Sequence, residues 1–394
     1  MTSRLDPRFV SPRRPSRRDV LLALAGGAVL GGSGCSSASS SASAGAGAAP
    51  GTPPDPASSG RTRTGPLGVA LLGLGDYSSN QLAPALQRTQ HCTLRGIVTG
   101  TASKIERWQS QYGIPDGNVY DYTSLPSIAD NPDIEVVYVV TPTSLHAQYA
   151  IMAAEAGKHV WCEKPMAMTA AECQSIIDAC RANQVSLAVG YRMQHEPNTQ
   201  TVMRFAREKP YGEIQSIRVV AGGRSDGEVA WRMQRAMGGG ALYDMGVYSI
   251  NAIRYASGQE PVRVVRARQW ADRPEVYTEV DESTEFELEL PSGVVAYGKA
   301  SRFDNDNLLR VETTGGWYGL EPLQSYRGVV GEISDGSAAL AQAFDGQQAR
   351  QMDNEALAIL EGRPPLVPGE EGQRDIRILE AIIRSAQTNA PVEL

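Results

Sequence analysis

Short apolar runs alternate with longer segments of helical period over the first half of the chain, within residues 67–191. The apolar runs predict strands at 68–72, 93–98, 136–140, 159–162 and 186–189. The segments between them predict helices at 80–88, 102–112, 145–156 and 170–182. Continuous apolar strands that alternate with helices are typical of a parallel sheet covered on both faces. Residues 67–191 are therefore predicted to form an α/β domain.

The pattern changes after residue 191, where predicted strands follow one another closely. These strands are 214–221, 262–269, 284–290, 294–301 and 308–313. One helical segment is predicted near 241–255, and a last helix over 372–388 is expected to pack back on the body. Residues 192–394 are therefore predicted to form an α+β domain with a large, mostly antiparallel open sheet.

This second sheet also suggests self-association. Apolar residues occupy alternating positions on both faces of segments 262–267 and 294–300. Large exposed apolar sheet faces are unusual in monomers and commonly mark subunit interfaces. We therefore expect a homodimer at least.

The first 66 residues follow neither pattern. Arg17 and Arg18 precede an apolar run over 20–30, which is too short to span a bilayer. This arrangement resembles a twin-arginine export signal, so residues 1–35 are expected to engage the twin-arginine machinery and direct the folded protein to the periplasm or another extracytoplasmic site. Cys35 ends a segment similar to a lipoprotein cleavage box and is a candidate lipid anchor. The alternative is cleavage in the Ser/Ala-rich run that follows.

Residues 36–66 are rich in Ser, Ala, Gly and Pro, and they are predicted to form an arm or tether because they cannot bury a core. The net charge of −7, without a Lys/Arg stripe, argues against a nucleic-acid partner. The five cysteines form no Cys-x-x-Cys pair, and their spacing suggests neither a zinc site nor a disulfide framework. No metal site is predicted.

A glycine turn follows the first predicted strand. The apolar run at 67–72 leads into Gly73 and Gly75 and then into a helix, with Ser78 at the third small-residue position. A strand, a Gly-x-Gly turn and a helix in this order form the site where a Rossmann domain meets a dinucleotide pyrophosphate. The predicted cofactor contacts here are Gly73, Leu74, Gly75, Asp76 and Tyr77.

The end of the second strand indicates which cofactor binds. An acidic residue is expected there for NAD, but the segment 98–104 carries Thr99 and Lys104 and no carboxylate. Hydroxyls and a cation suit a 2′-phosphate, so NADP is predicted. The alternative is that Lys104 is a solvated helix residue.

The candidate catalytic residues come from two segments. Lys164 follows a buried strand and a carboxylate, Glu163, at the edge of the sheet where ligands bind in open α/β folds. Its charge would stabilise a developing alkoxide. Asp244 and Tyr248 lie four residues apart in a predicted helix and share one face. Tyr248 is a candidate acid/base, and the alternative is a packed core tyrosine.

Two histidines are further candidates for the site. His146 follows the third predicted parallel strand, near the expected cofactor cleft, and we assign it a positioning role rather than proton transfer. His195 is expected to be structural or peripheral.

The combination Gly-Leu-Gly, Thr-Pro-x-Ser-Leu-His, Glu-Lys-Pro, Gly-Tyr-Arg and Gly-Gly-Gly-x-x-x-Asp-x-Gly-x-Tyr resembles the Gfo/Idh/MocA oxidoreductase family, from Leu67 to Leu394. The likeness is greatest to its branch of periplasmic glucose–fructose and aldose–aldose oxidoreductases. Many members carry His at the position of Tyr248, whereas that branch carries Tyr. The resemblance implies catalytic roles for Lys164, Asp244 and Tyr248, and 2′-phosphate contacts for Thr99 and Lys104.

The resemblance completes the predicted site. It implies further cofactor contacts at Thr141, Pro142, His146, Glu163, Lys164 and Arg192. The predicted substrate-binding residues are Tyr191, Trp231, Arg232, Asp244 and Tyr248. The resemblance also implies sheet-to-sheet dimers, sometimes paired into homotetramers. In the glucose–fructose branch an arm wraps a neighbouring subunit and traps the cofactor, and residues 36–66 have a similar placement in this chain.

The expected activity is oxidation of an aldose at C1 to a lactone, with the hydride passed to a second sugar on tightly bound NADP. One alternative is an ordinary NADP-dependent aldose dehydrogenase whose cofactor exchanges. The other, from a different class, is a non-catalytic sugar-binding module that keeps NADP as a structural element.

Overall fold

A computed structural model describes residues 65–225 and 229–394 of the chain. The predicted export signal, the candidate lipid site at Cys35 and all but the last two residues of the predicted arm lie outside the described residues. Within the described residues, no helix has both the length and the apolar character needed to cross a membrane. The four cysteines in this part of the chain are buried and unpaired by disulfides.

The first domain is a six-stranded parallel sheet in the order β3-β2-β1-β4-β5-β6. Its strands are β1 (Leu67–Leu72), β2 (Cys92–Val98), β3 (Val119–Tyr120), β4 (Val136–Val139), β5 (His159–Cys162) and β6 (Leu187–Val189). Its helices are α1 (Ala83–Leu86), α2 (Ile105–Tyr112), α3 (His146–Glu155) and α4 (Ala170–Ala182), and a π-helical turn, Ser78–Leu82, precedes α1. The predicted Rossmann architecture is confirmed. The strand order reverses between β1 and β4, which is where such sheets bind ligands.

The second domain is an eight-stranded sheet in the order β13-β12-β11-β7-β10-β9-β8-β14. Its strands are β7 (Ile214–Gly222), β8 (Arg263–Trp270), β9 (Ser283–Glu289), β10 (Val295–Ser301), β11 (Asn307–Thr313), β12 (Gly316–Leu320), β13 (Gly331–Ile333) and β14 (Val392–Glu393). Neighbouring strands are antiparallel except for the parallel pair β7 and β10. The predicted mostly antiparallel sheet is confirmed.

The remaining helices are α5 (Pro197–Glu208), α6 (Val247–Ser257), α7 (Gln347–Leu360) and α8 (Gly369–Thr388), and a π-helical turn, Leu242–Gly246, precedes α6. Helix α6 packs on β7 and β10, and α8 lies between β8 and α4. Helix α7 belongs by sequence position to the second domain, yet its Ala349, Met352 and Ala356 join the apolar core of the first, beside α1 and β2. The two domains therefore share a packed boundary.

The outward face of the second sheet is polar, and the expectation of a large apolar face there is wrong. On β10 the side chains of Ala296 and Ala300 are fully buried, whereas Val295 is 43% exposed. One row of outward positions across the sheet carries Arg310, Arg218, Tyr297, Glu287 and Arg266 in register. Four of these five side chains are charged and one is a ring. Polar side chains suit this face because helices cover only the other one, and strand residues alternate between faces.

Self-association is still expected, through this row of charged and aromatic side chains. Arg266 pairs with Glu287, and the Arg218 guanidinium lies 4.8 Å from the centre of the Tyr297 ring. We expect light scattering on protein without residues 1–35 to give a dimer or tetramer at micromolar concentration. Because salt screens exposed charges, raising the ionic strength should weaken the assembly. A monomer at every salt concentration would contradict the prediction.

Candidate active site

A cavity of about 420 Å³ opens at the carboxyl ends of the first-domain strands, beneath the start of the π-helical turn Leu242–Gly246. Most of the predicted site residues line it. They are Gly73, Leu74, Gly75, Asp76, Tyr77, Thr99, Lys104, Thr141, Pro142, His146, Glu163, Lys164, Trp231, Arg232, Asp244 and Tyr248. The structure therefore brings together, at the ends of the strands, predicted site residues that lie far apart in the chain.

The glycine turn after β1 leaves room for a phosphate group. Gly73 has a positive φ of 95°, and a Cβ there would lie 2.6 Å from the carbonyl oxygen of Val140, so a side chain is excluded. A Cβ on Gly75 would meet nothing within 4 Å, so the open side of the turn lies at Gly75. The Ser78 hydroxyl donates to the Gly73 carbonyl at 2.6 Å and closes the turn. These features fit a dinucleotide pyrophosphate at the helix start.

The end of β2 presents hydroxyls and a cation to the same cavity. Thr99 is buried, and its hydroxyl oxygen accepts a hydrogen bond from the Thr101 amide at 3.1 Å. The Lys104 ammonium donates to the Leu74 carbonyl at 2.7 Å, which brings its charge to the glycine turn. Lys104 is therefore not a freely solvated helix residue. This chemistry favours the 2′-phosphate of NADP over a bare ribose.

Glu163 lies at the end of β5 in a buried position. Its Oε1 accepts a hydrogen bond from the Tyr138 hydroxyl at 2.6 Å, and its Oε2 accepts one from the Lys164 amide at 3.2 Å. Burial raises the pKa of the Glu163 carboxyl, although both hydrogen bonds oppose the rise. Gly190 makes room for this group, since a Cβ there would lie 2.5 Å from Oε1.

Lys164, Asp244 and Tyr248 come together at the centre of the site. The Lys164 ammonium donates to the Asp244 carbonyl at 2.9 Å and lies 3.8 Å from its Oδ1. The same ammonium is 4.4 Å from the centre of the Tyr248 ring. The ammonium can therefore interact with the Asp244 carboxylate and with the face of the Tyr248 ring.

Three cations hold Asp244 in its charged form. Besides Lys164, Arg232 Nε donates to Oδ2 at 3.1 Å, and Arg302 Nη1 lies 3.6 Å from the same oxygen. Burial alone would raise the pKa of the Asp244 carboxyl, but the three cations outweigh it and the pKa is lowered. Asp244 is thus an anchor that fixes the Lys164 ammonium beside Tyr248.

Glycines allow the segment that carries Trp231 and Arg232 to lie against this centre. A Cβ on Gly239 would be 2.3 Å from the Arg232 carbonyl oxygen. Gly240 has a positive φ of 101°, and a Cβ there would be 2.2 Å from Asp281 Oδ1. Asp281 in turn accepts a hydrogen bond from the Leu242 amide at 2.8 Å and so begins the π-helical turn.

His146 connects two loops of the site. Its Nδ1 lies 2.8 Å from the Pro165 carbonyl oxygen and its Nε2 lies 2.8 Å from the Thr141 carbonyl oxygen. Burial lowers the pKa of the imidazole, although the carbonyl contacts oppose this. The placement supports the positioning role. His195 is buried outside the cavity lining, with its Nε2 3.2 Å from a Glu355 oxygen, in agreement with the structural role.

Two predicted site residues do not line the cavity. Tyr191 is buried and interacts with Asp375 and Arg254 in the core of the second domain, so its placement does not support the predicted substrate contact. Arg192 lies just behind the cavity, 5.6 Å from the centre of the Tyr248 ring and 4.9 Å from that of Tyr326. It faces two tyrosines of the site, and the predicted direct contact with the cofactor stays a prediction.

Sequence reasoning missed Tyr326 and Arg302. Tyr326 lies in the connection between β12 and β13 and lines the cavity. No motif marks this connection. Arg302 directly follows β10, and only its position at a strand end hinted at a site role. Within residues 65–225 and 229–394, no cluster of His, Cys, Asp and Glu is arranged to hold a metal ion.

Comparison with known proteins identifies the family. A family model described as an oxidoreductase family with an NAD-binding Rossmann fold matches residues 67–191, and the model of the GFO/IDH/MocA C-terminal domain matches residues 199–318. The chain belongs to the Gfo/Idh/MocA oxidoreductase family. The resemblance inferred from the motifs is therefore confirmed.

Several characterised proteins are similar over most of the chain. The solved structure of aldose–aldose oxidoreductase from Caulobacter crescentus, complexed with glycerol, is 36% identical with a TM-score of 0.79, and the match covers 84% of this chain and 100% of that one. D-xylose 1-dehydrogenase [NADP(+)] of Haloarcula marismortui is 27% identical over 352 residues, 84% of this chain and 93% of the relative. D-glucoside 3-dehydrogenase of Escherichia coli is 26% identical over 84% of this chain and 98% of its own length.

Proposed function

We propose that the chain is an NADP-dependent sugar oxidoreductase that oxidises an aldose at C1 to a lactone and reduces a second sugar on the same bound cofactor. The observation that carries this proposal is the Lys164 ammonium held between Asp244 and the Tyr248 ring in the cavity that the glycine turn also lines. The similarity to an aldose–aldose oxidoreductase over 84% of the chain supports the choice of sugars.

The residues of the site have distinct tasks in this proposal. As the phenolate, Tyr248 accepts the proton of the C1 hydroxyl while the lactone carbonyl forms, and the resulting phenol returns that proton when the second sugar is reduced to a polyol. Lys164 stabilises the negative charge that develops on the sugar oxygen or on the phenol. Asp244 keeps the ammonium in place. NADP supplies the hydride acceptor for the first sugar and, once reduced, the hydride donor for the second.

The two half-reactions balance without any other redox partner. The first sugar loses a hydride and a proton, and the second sugar gains both.

A cycle of this kind suits an exported protein, because no free NADP pool is expected outside the cytoplasm. We therefore also propose export through the twin-arginine route, based on Arg17 and Arg18. Cell fractionation of the wild type and of a double Lys variant at these positions tests it, and unchanged localisation would contradict it.

The second candidate is an ordinary sugar dehydrogenase that releases its cofactor after each turnover. The relatives named as NADP(+)-dependent D-xylose 1-dehydrogenases favour it. In both cases the same residues act on the sugar, and the candidates differ only in cofactor exchange.

Absorbance of the purified protein distinguishes the two candidates. We expect glucose, added without NADP, to raise the absorbance of the reduced nicotinamide in proportion to the protein, because the cofactor is retained from the cell. A second sugar should then reverse the rise. Turnover that requires added NADP would instead support the dehydrogenase. If sugars raise the melting temperature but never change the spectrum, the protein is a non-catalytic binding module.

A further inference from the structure

Three side chains at one edge of the cavity connect the glycine turn to the second domain. Tyr77 follows the glycine turn, and its ring lies beside that of Tyr326, with the centroids 5.8 Å apart and the planes at 31°. The Arg192 guanidinium lies 4.9 Å from the centre of the Tyr326 ring. We call Tyr77, Arg192 and Tyr326 the clasp.

Hydrogen bonds from Arg192 to the protein hold the clasp in place. Tyr326 is 45% exposed, whereas Arg192 is 2% exposed. Arg192 donates hydrogen bonds to the Ser325 carbonyl at 2.6 Å and to Gln324 Oε1 at 3.1 Å, and it also donates to Gln347. The guanidinium of Arg192 therefore anchors the backbone next to Tyr326, and it also lies near the Tyr326 ring. An exposed ring on an unanchored loop would not keep this position.

The position of the clasp bears on cofactor exchange. Tyr77 and Tyr326 line the same cavity as Gly73 and Gly75. The glycine turn cannot move away from the second domain without separating the two rings. Helix α7 also packs against α1 next to the turn, but it lies outside the cavity lining, so the clasp is the contact between the turn and the second domain that borders the cofactor cavity.

We propose that the clasp slows the release of NADP, with Tyr326 as the positioning residue. The inference rests on the proposed function, because a retained cofactor is what separates the two-sugar cycle from an ordinary dehydrogenase. It assigns retention to a contact within one subunit, independent of the N-terminal arm.

The test measures cofactor release directly. The purified protein is loaded with NADPH and mixed with a large excess of NADP⁺, and the loss of protein-bound NADPH fluorescence is followed. We expect release from Tyr326→Ala to be on the order of tenfold faster than from the wild type, because both ring contacts are lost. Tyr326→Phe keeps the ring and should stay within about twofold of the wild type. Release from Tyr326→Ala at the wild-type rate would overturn the proposal, and so would equal acceleration in both variants.

Two further variants keep the result interpretable. Tyr77→Ala removes the partner ring and should accelerate release to the same extent, which also covers the case in which Tyr326→Ala does not fold. Tyr211→Ala removes a tyrosine that packs beside the Phe205 and Tyr318 rings, outside the cavity lining, and should leave release unchanged. Equal acceleration in Tyr211→Ala would show general loosening and overturn the proposal.

Failure of the clasp and failure of the proposed function have different signatures. If no sugar reduces the bound cofactor in any variant, the proposed function fails while the comparison of release rates stands. If glucose reduces the bound cofactor but Tyr326→Ala and Tyr77→Ala both retain NADPH like the wild type, the clasp fails and the function stands.

Discussion

Replacing Tyr248 with Phe is expected to lower kcat for aldose oxidation by two to four orders of magnitude, about the contribution of a positioned acid/base. The variant removes only the hydroxyl and keeps the ring, which lies 4.4 Å from the Lys164 ammonium. Packing and the charge cluster around Asp244 should therefore persist. Pre-steady-state absorbance of the reduced nicotinamide after mixing with sugar measures the step, and melting temperature checks the fold.

Tyr243→Phe is the matched control for this prediction. Tyr243 lies one turn earlier and donates its hydroxyl to the Met168 carbonyl at 2.7 Å, outside the cavity lining. The variant loses this hydrogen bond, which should lower the free energy of unfolding by about 1 kcal/mol. It should change kcat little. If Tyr248→Phe retains the wild-type rate, or if Tyr243→Phe loses as much, Tyr248 is a packing residue and the proton is transferred by another group.

Replacing Thr99 with Asp is expected to reverse the cofactor preference from NADP to NAD, with affinity for NADP reduced by about a hundredfold to a thousandfold. Two charges of the same sign about 4 Å apart repel by about 4 kcal/mol at an effective dielectric constant near 20, and an acidic residue at this strand end suits a free ribose. Binding titrations of both cofactors to protein stripped of its bound nucleotide measure the change.

Thr99→Val provides the matched control, because it removes the hydroxyl without adding a charge. It should weaken NADP binding by less than the Asp variant and should not improve NAD binding. A Thr99→Asp protein that still prefers NADP would mean that the 2′-phosphate lies elsewhere than at the end of β2. The Lys104 ammonium would then serve only its contact with the Leu74 carbonyl.

Much of the first domain could be predicted from the sequence, because each helix or strand has a residue pattern of its own. Strands β1, β4 and β5 are buried on both faces and therefore appear as continuous apolar runs. The glycine turn requires residues without a side chain at Gly73, so it leaves a mark in the sequence. Helix α7 escaped prediction because its buried face carries Gln347, Gln351 and Glu355 among small apolar residues, which hides the helical period.

Contacts between distant segments were beyond the reach of the sequence. The cations around Asp244 come from residues 80, 12 and 58 positions away in the chain, namely Lys164, Arg232 and Arg302. The expectation of an apolar outward sheet face failed for a related reason. Alternation shows that a strand has two faces, but only the packing of α6 and α8 decides which face is covered.

The sequence by itself determined the fold class, the family, the glycine turn and the choice of Lys164, Asp244 and Tyr248, because strand ends, glycines and short motifs are local properties of a chain. The tertiary structure decided that Asp244 is held by three cations, that Tyr191 faces the core, and that Tyr326 and Arg192 border the cavity. These contacts depend on how the two domains pack, and no local pattern of residues encodes the distance between side chains on separate elements.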